Sequence, residues 1–210
     1  WWTAGRESVT GLSSSKLESS VQGHDAADLS QDERFDLRLV RLSLESELAD
    51  LRELRWLESD PQFYMGHLDI IPYLHRDYAP FPERASALIQ MLVEVPDFLA
   101  TAHARLRPDL ASPILTTAIE AFAGLLSFYR KELPEALASL EDTPQSTAFR
   151  RAHEGAVAAL GEFLGRLRER ESTSVPEFAL GSEKFLLMLR TGEMVDLPLE
   201  RLEAVGRADL

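Results

Sequence analysis

The sequence predicts an all-α fold, a multi-helix bundle of about seven to eight antiparallel helices with proline-initiated helix starts. Apolar residues recur at steps of three and four along most of the chain, which is the spacing of one helix face. Six of the eleven prolines stand where a predicted helix opens, where the missing N–H costs nothing and the fixed φ suits the first turn. No long alternating run of β-branched residues interrupts this pattern, so no sheet is predicted.

The first predicted helix follows an irregular leader. Residues 1–29 show no sustained period and are predicted to be this leader, and residues 30–210 to form a helical domain. Ser30 and Glu33 have the spacing of a capping box, so the helix should begin there and run to about Leu57, before Asp60–Pro61. Its main apolar stripe is Leu37, Val40, Leu44, Leu48, Leu51 and Leu54, and a second apolar face is Phe35, Leu39 and Leu42.

Prolines mark the later helices. Pro82 opens one helix, and Val95–Pro96 is predicted to restart the chain as another. Ser112 is predicted to cap the helix that Pro113 opens. Pro134 is predicted to begin a short extension. The remaining predicted openings are Thr143–Pro144 and Pro198.

Composition excludes several classes of function. The net charge is −13, from 35 acidic and 22 basic residues, and such a surface repels nucleic acid and anionic membranes. The absence of cysteine excludes thiolate metal sites and cysteine nucleophiles. No run approaches the roughly 18 apolar residues of a membrane span, and no secretion signal is recognisable, so a soluble, acidic, cytoplasmic protein is predicted. The basic cluster at 166–170 alternates with glutamates and is interpreted as a solvated helix face.

Motifs for catalysis are incomplete. His153–Glu154 begins the His-Glu-x-x-His pattern of zinc hydrolases, but position 157 is valine, so both residues are interpreted as polar positions on an amphipathic helix. Four other candidate ligands have spacings that match no helical face, and polar or partly buried positions are favoured for them. These are His67, Asp69, His75 and Asp77. We therefore predict no catalytic residue and no metal ligand in this chain.

The densest aromatic patch lies between residues 63 and 81. Tyrosine buries a large ring and keeps a hydroxyl for hydrogen bonding, so such a patch can line a substrate cleft or a domain interface. Packing between helices is the favoured alternative. The candidate cleft or interface residues are Tyr64, His67, Tyr73, His75, Arg76 and Tyr78.

The order of several short motifs resembles one bacterial family, domain-of-unknown-function family 885, over about residues 30–210. The central motifs are Asp60-Pro61-x-x-Tyr64, Arg76-Asp77-Tyr78-Ala79-Pro80, Arg84 and Val95-Pro96-x-x-Leu99. The flanking ones are Asp32, Arg34 and Asp36, then Phe178 to Gly181, Glu183, Phe185 and Gly206 to Leu210.

This resemblance implies a large helical protein related in architecture to zinc peptidases, with a channel between two helical halves. The family's His-Glu and Gly-His motifs lie beyond the matched region, so the chain is expected to hold no cofactor and zinc to belong to the full-length parent. There, zinc would make a bound water nucleophilic near neutral pH.

The resemblance also implies a role for this part of the protein, the N-terminal channel-wall segment of a metal-dependent hydrolase or peptidase-like protein. Its partner would be the remainder of the parent protein, or a homo-oligomer partner, bound through exposed apolar helix faces. The alternative is a self-contained, non-catalytic interaction or scaffold module.

Overall fold

A computed structural model of the chain describes residues 29–138 and 145–209. Contacts divide the chain into two compact units, which we call unit 1 (Trp1–Arg55 and Ala179–Leu210) and unit 2 (Trp56–Phe178). The described residues are helical and contain no strand, only an isolated bridge between Ala111 and Val175. The predicted all-α class is confirmed. The predicted leader lies outside the described residues, apart from Leu29.

Eight α-helices are present among the described residues. They are α1 (Gln31–Ala49), α2 (Trp56–Ser59), α3 (Ile71–His75), α4 (Phe81–Arg105), α5 (Ser112–Ala136), α6 (Gln145–Glu169), α7 (Ser182–Gly192) and α8 (Leu199–Ala208). A π-helical turn, Asp50–Leu54, continues α1, and two 3₁₀ segments occupy Pro61–Leu68 and Arg170–Thr173.

In unit 1, α1 begins at the predicted capping box. The Ser30 Oγ accepts the Glu33 N–H at 3.3 Å, and the Glu33 carboxylate accepts the Ser30 N–H at 2.8 Å. The predicted end at Leu57 is wrong, because the chain leaves the helical conformation at Arg55, where φ is 53°. The Arg55 N–H donates to the Asp50 carbonyl at 2.7 Å and closes the π-helical turn. Helix α1 packs against α7, and Lys184 Nζ donates to the Glu53 carbonyl at 2.6 Å.

In unit 2, α6 packs against both α4 and α5, and these three helices of 25 residues each hold most of the core. The predicted restart at Val95–Pro96 is wrong, because α4 continues through Pro96. A proline inside a helix costs about 3 kcal/mol. Leu92 and Leu99, one on each side of Pro96, are at most 2% exposed, so the burial of one continuous stripe offsets that cost.

Two other predicted helix openings also differ from the structure. Ser112 is the first residue of α5 and not its cap, because its hydroxyl lies 3.0 Å from the Val175 carbonyl and donates to it. Pro134 lies inside α5, which ends at Ala136, so it does not begin an extension. The predicted opening at Thr143–Pro144 lies outside the described residues, and α6 is described from Gln145.

Two helices of unit 2, α4 and α5, are long and apolar enough to cross a membrane by length and composition alone. Core helices of globular proteins pass the same test, and both helices contribute side chains to the core of unit 2.

Candidate functional site

Tyr64 belongs to the core of unit 2. Its side chain is 2% exposed, and its hydroxyl donates to the Leu57 carbonyl at 2.6 Å. Its ring meets Phe98 of α4 edge-on, with 5.8 Å between ring centroids. Burial raises the pKa of the Tyr64 hydroxyl to about 12, so this group stays protonated and keeps donating at neutral pH. Tyr64 therefore ties the 3₁₀ segment to α2.

A second buried tyrosine holds the same 3₁₀ segment from the other end. The Tyr129 hydroxyl donates to the Leu68 carbonyl at 2.9 Å, and burial raises its pKa. The imidazole of His153 lies with Nε2 2.7 Å from the Tyr129 carbonyl and stacks on Phe149 at 5.5 Å between centroids. The carbonyl can only accept, so Nε2 carries the proton. His153 thus joins α6 to α5.

Arg84 organises the turn that precedes α4. Its side chain is 8% exposed, and its guanidinium donates to the carbonyls of Tyr73 (3.0 Å), Leu74 (3.1 Å) and Ala79 (2.9 Å). A fourth bond reaches Asp77 Oδ1 at 3.0 Å. One planar donor group therefore satisfies three carbonyls that have no helical partner, which is the geometry a guanidinium provides and an ammonium does not. We call this arrangement the Arg84 clamp.

The six candidate residues of the aromatic patch do not share one surface. Tyr64 is buried in the core, and Tyr73 is half-buried, with burial raising its pKa. His67 is half-buried beside Phe98, at 5.6 Å between ring centroids. The remaining three, His75, Arg76 and Tyr78, are exposed. The structure thus gives these six residues different degrees of burial within one segment.

A small cleft between α4 and α6 was missed by the sequence reasoning. Its volume is about 90 Å³, well below the roughly 300–1,000 Å³ of sites for drug-sized ligands. The polar side chains at this cleft are His103, Glu162 and Arg166, with Arg166 paired to Glu162 one helical turn away. The other lining residues are Pro96, Leu99, Ala100, Ala159 and Phe163. The cleft has room for a few atoms of a ligand.

Arg170, next to this cleft, closes the end of α4. Its guanidinium donates to the carbonyls of Leu106 (2.9 Å), Arg107 (2.6 Å) and His103 (3.1 Å). Its Nη2 also lies 3.3 Å from His103 Nδ1. Arginine can only donate, so Nδ1 accepts and the imidazole is neutral. The interpretation of cluster 166–170 as a solvated face is therefore wrong for Arg170, because its guanidinium bonds one carbonyl in the last turn of α4 and two carbonyls just after the helix.

His103 should make unit 2 sensitive to acid. Burial lowers the pKa of its imidazole, and the nearby guanidinium groups of Arg170 and Arg166 lower it further, against the raising effect of Glu162 and Glu169. Protonation therefore favours the unfolded chain, where the pKa is about 6.5. Stability is unaffected well above pH 6.5 and is lost progressively as the pH falls through 6.5 toward the lower folded-state pKa.

We expect His103→Gln to reduce this acid sensitivity. The urea midpoint of the wild type should fall more between pH 7.5 and pH 5.5 than that of the variant, because glutamine does not titrate in that range of about two pH units. His75→Gln, at an exposed position, is the matched control. Its urea midpoint should fall as much as that of the wild type between the two pH values. An equal fall in urea midpoint for the wild type and His103→Gln would contradict the role of His103 in acid sensitivity.

The described histidines and acids do not fit a zinc site. Within residues 29–138 and 145–209, no group of three or more His, Cys, Asp or Glu side chains is arranged to hold a metal. Asp69 accepts the Ile71 N–H at 3.0 Å, Asp77 accepts from Arg84, and His153 bonds a backbone carbonyl. These three side chains are engaged in hydrogen bonds within unit 2.

One solved structure shares the fold of this chain and is longer than it. A proposed lipoprotein of unknown function from Shewanella oneidensis is similar over 93% of this chain, with a TM-score of 0.81 and 16% identity. At this identity, the likeness shows the fold alone. The match covers 37% of that protein, so the chain spans little more than a third of its length. No curated protein matches the chain.

The sequence also matches a protein family directly. The profile of the family described as "Bacterial protein of unknown function (DUF885)" matches residues 4–210, nearly the whole chain. The resemblance of the short motifs between Asp32 and Leu210 to this family is confirmed. The chain belongs to the DUF885 family of bacterial proteins.

Proposed function

We propose that this chain is the N-terminal helical channel-wall segment of a metal-dependent hydrolase or peptidase-like bacterial protein and carries no catalytic residue of its own. The observation that supports the proposal most strongly is the partial coverage of the solved relative, in which the same fold forms 37% of a longer chain. A segment of this kind supplies a framework, and the chemistry belongs to another part of the protein.

The polar contacts in unit 2 support a framework role. Several of its buried and half-buried side chains donate hydrogen bonds to backbone carbonyls. These bonds connect one helix or turn to the next. The Arg84 clamp holds the turn before α4, Arg170 closes the end of α4, and Tyr64 and Tyr129 fix the 3₁₀ segment. Side chains used in this way rigidify a scaffold, and rigid elements position functional groups more accurately than loops do.

Zinc, in this proposal, is held by residues of the full-length parent that lie outside this chain. The local bonds of Asp69, Asp77 and His153 would have to break before these groups could collect around an ion. Breaking the bonds of Asp69 and His153 would also remove a partner from a backbone group.

The test compares the 210-residue chain with the product of the complete reading frame. After dialysis, zinc is measured by mass spectrometry, and hydrolysis is measured on a quenched fluorescent peptide library with and without a chelator. We expect stoichiometric zinc and chelator-sensitive hydrolysis in the complete product alone, and His153→Gln should leave both unchanged. Stoichiometric zinc on the 210-residue chain, or a complete product without zinc or hydrolysis, would refute the proposal.

A second candidate function is a self-contained, non-catalytic interaction module. The exposed apolar side chains favour it, among them Phe35 (58% exposed), Val93 (62%) and Phe178 (64%). A reading frame that stops at Leu210 would favour this module, and a frame that continues into a His-Glu-rich helical region would favour the channel wall.

A further inference from the structure

Helix α1 and the π-helical turn that continues it carry an apolar stripe that is only partly buried. The part of the predicted stripe that is not fully buried, which we call the Val40 stripe, consists of Leu37, Val40, Leu44, Leu48 and Leu51. The sixth predicted member, Leu54, is buried. Val40 is 50% exposed and Leu51 is 41% exposed, and the other three leucines are half-buried. The stripe of α4 has the same spacing, yet each of its core side chains is at most 2% exposed. They are Ala85, Leu88, Leu92, Val95, Leu99 and Ala102.

One neighbour within unit 1 cannot cover α1 completely. Phe35 and Val40 are five residues apart, which places them about 140° apart around a helix of 3.6 residues per turn. Phe35 is 58% exposed, so α1 presents apolar side chains in two directions. Among the described residues, α7 is the helix of unit 1 that packs against α1. An amphipathic helix with two apolar faces needs a second partner to bury both.

We propose that the Val40 stripe is the docking face for a further amphipathic helix of the same polypeptide, from the part of the family architecture that this chain does not contain. The proposal rests on the proposed function and names the surface through which the wall contacts the rest of the protein. Its basis is the solved relative, in which the larger part of the chain lies outside the match.

The length of the Val40 stripe sets the length of the helix that could cover it. From Leu37 to Leu51 the stripe is about 21 Å long at 1.5 Å per residue, so a helix of about four turns covers it. The partner face must be apolar, with residues at steps of three and four, because ridges of side chains pack into the grooves between them.

The absence of cysteine from the chain provides a direct test. Val40→Cys introduces a thiol on the stripe, and Val93→Cys introduces one at a 62% exposed valine of α4 as the matched control. The rate of maleimide labelling is measured on the peptide that contains the new cysteine. It is measured both in the 210-residue chain and in the complete product. Val40→Cys should label about tenfold or more slowly in the complete product, since a covered thiol reacts only on local opening. Val93→Cys should label at the same rate in both.

Four results would overturn the docking face. The first is an equal labelling rate of Val40→Cys in both proteins, and the second is slow labelling already in the dilute 210-residue chain. The third is labelling of that chain that slows as its concentration rises. The fourth is a reading frame that ends at Leu210. The second would assign the stripe to another part of this chain, and the third to a second copy. Labelling requires neither zinc nor hydrolysis, so a protected stripe in an inactive product would refute the proposed function and leave the docking face standing.

Discussion

Replacing Arg84 with methionine is expected to lower the free energy of unfolding of unit 2 by about 3 kcal/mol. Each buried acceptor that loses its donor costs about 1–3 kcal/mol, and water that reaches part of this turn reduces the total. The carbonyls of Tyr73, Leu74 and Ala79 lose their donor together. The ion pair contributes little, because the Asp77 side chain is 93% exposed. Asp77→Asn should therefore cost less than about 1 kcal/mol.

Urea unfolding followed by circular dichroism measures this loss, and amide hydrogen exchange over residues 73–79 locates it. Arg76→Met is the matched control, since Arg76 lies in the turn that Arg84 holds and is exposed, and it should change stability by less than about 0.5 kcal/mol. Arg84→Lys should recover only part of the loss, because a point charge cannot reach three carbonyls in one plane. Equal losses in Arg84→Met and Arg76→Met would contradict the clamp.

Local patterns in the sequence predict the helices well because the signals for a helix lie within a few residues. The capping box at Ser30 and Glu33 and the stripe that begins at Leu37 were sufficient to place α1. The end of α1 was missed because a π-helical turn and the left-handed Arg55 leave no signature in composition. Pro96 misled the prediction because tertiary burial of the α4 stripe outweighs the local cost of a proline.

The polar contacts were harder to predict because their partners are far apart in the sequence. Arg170 bonds carbonyls in the last turn of α4 and just after it, at separations of 63, 64 and 67 residues. Nothing in the alternating charges of 166–170 distinguishes this arginine from its solvated neighbours. Arg84 was noticed only as part of a family resemblance, and its role became visible once the turn was folded around it.

The aromatic patch shows the same limit for the candidate site. Its density of tyrosines is a property of composition, and it predicts equally a lined cleft or a packed core. The structure buries Tyr64 and exposes Tyr78, at 2% and 58%, although both lie in the same patch. A residue-level assignment needs the direction of each side chain, which a segment with short helices and turns does not reveal through periodicity.

Phe122→Ala should be the most destabilising single change considered, with an expected loss of about 3–5 kcal/mol. Phe122 is fully buried in α5, and its ring centroid lies 4.8 Å from that of Phe163 in α6. Truncation removes the buried ring, leaves a cavity between the two helices and ends the contact between the rings. Many domains have a total stability of about 5–15 kcal/mol, so a loss of this size would leave unit 2 close to unfolding.

Phe178→Ala is the matched control, because Phe178 belongs to the same unit and is 64% exposed, and it should cost less than about 0.5 kcal/mol. Phe122→Leu should fall between the two, since leucine refills part of the cavity. The urea midpoints of the three variants, compared with the wild type, decide the order. If Phe178→Ala proved as destabilising as Phe122→Ala, the expectation that burial of the Phe122 ring between α5 and α6 sets the size of the loss would be contradicted.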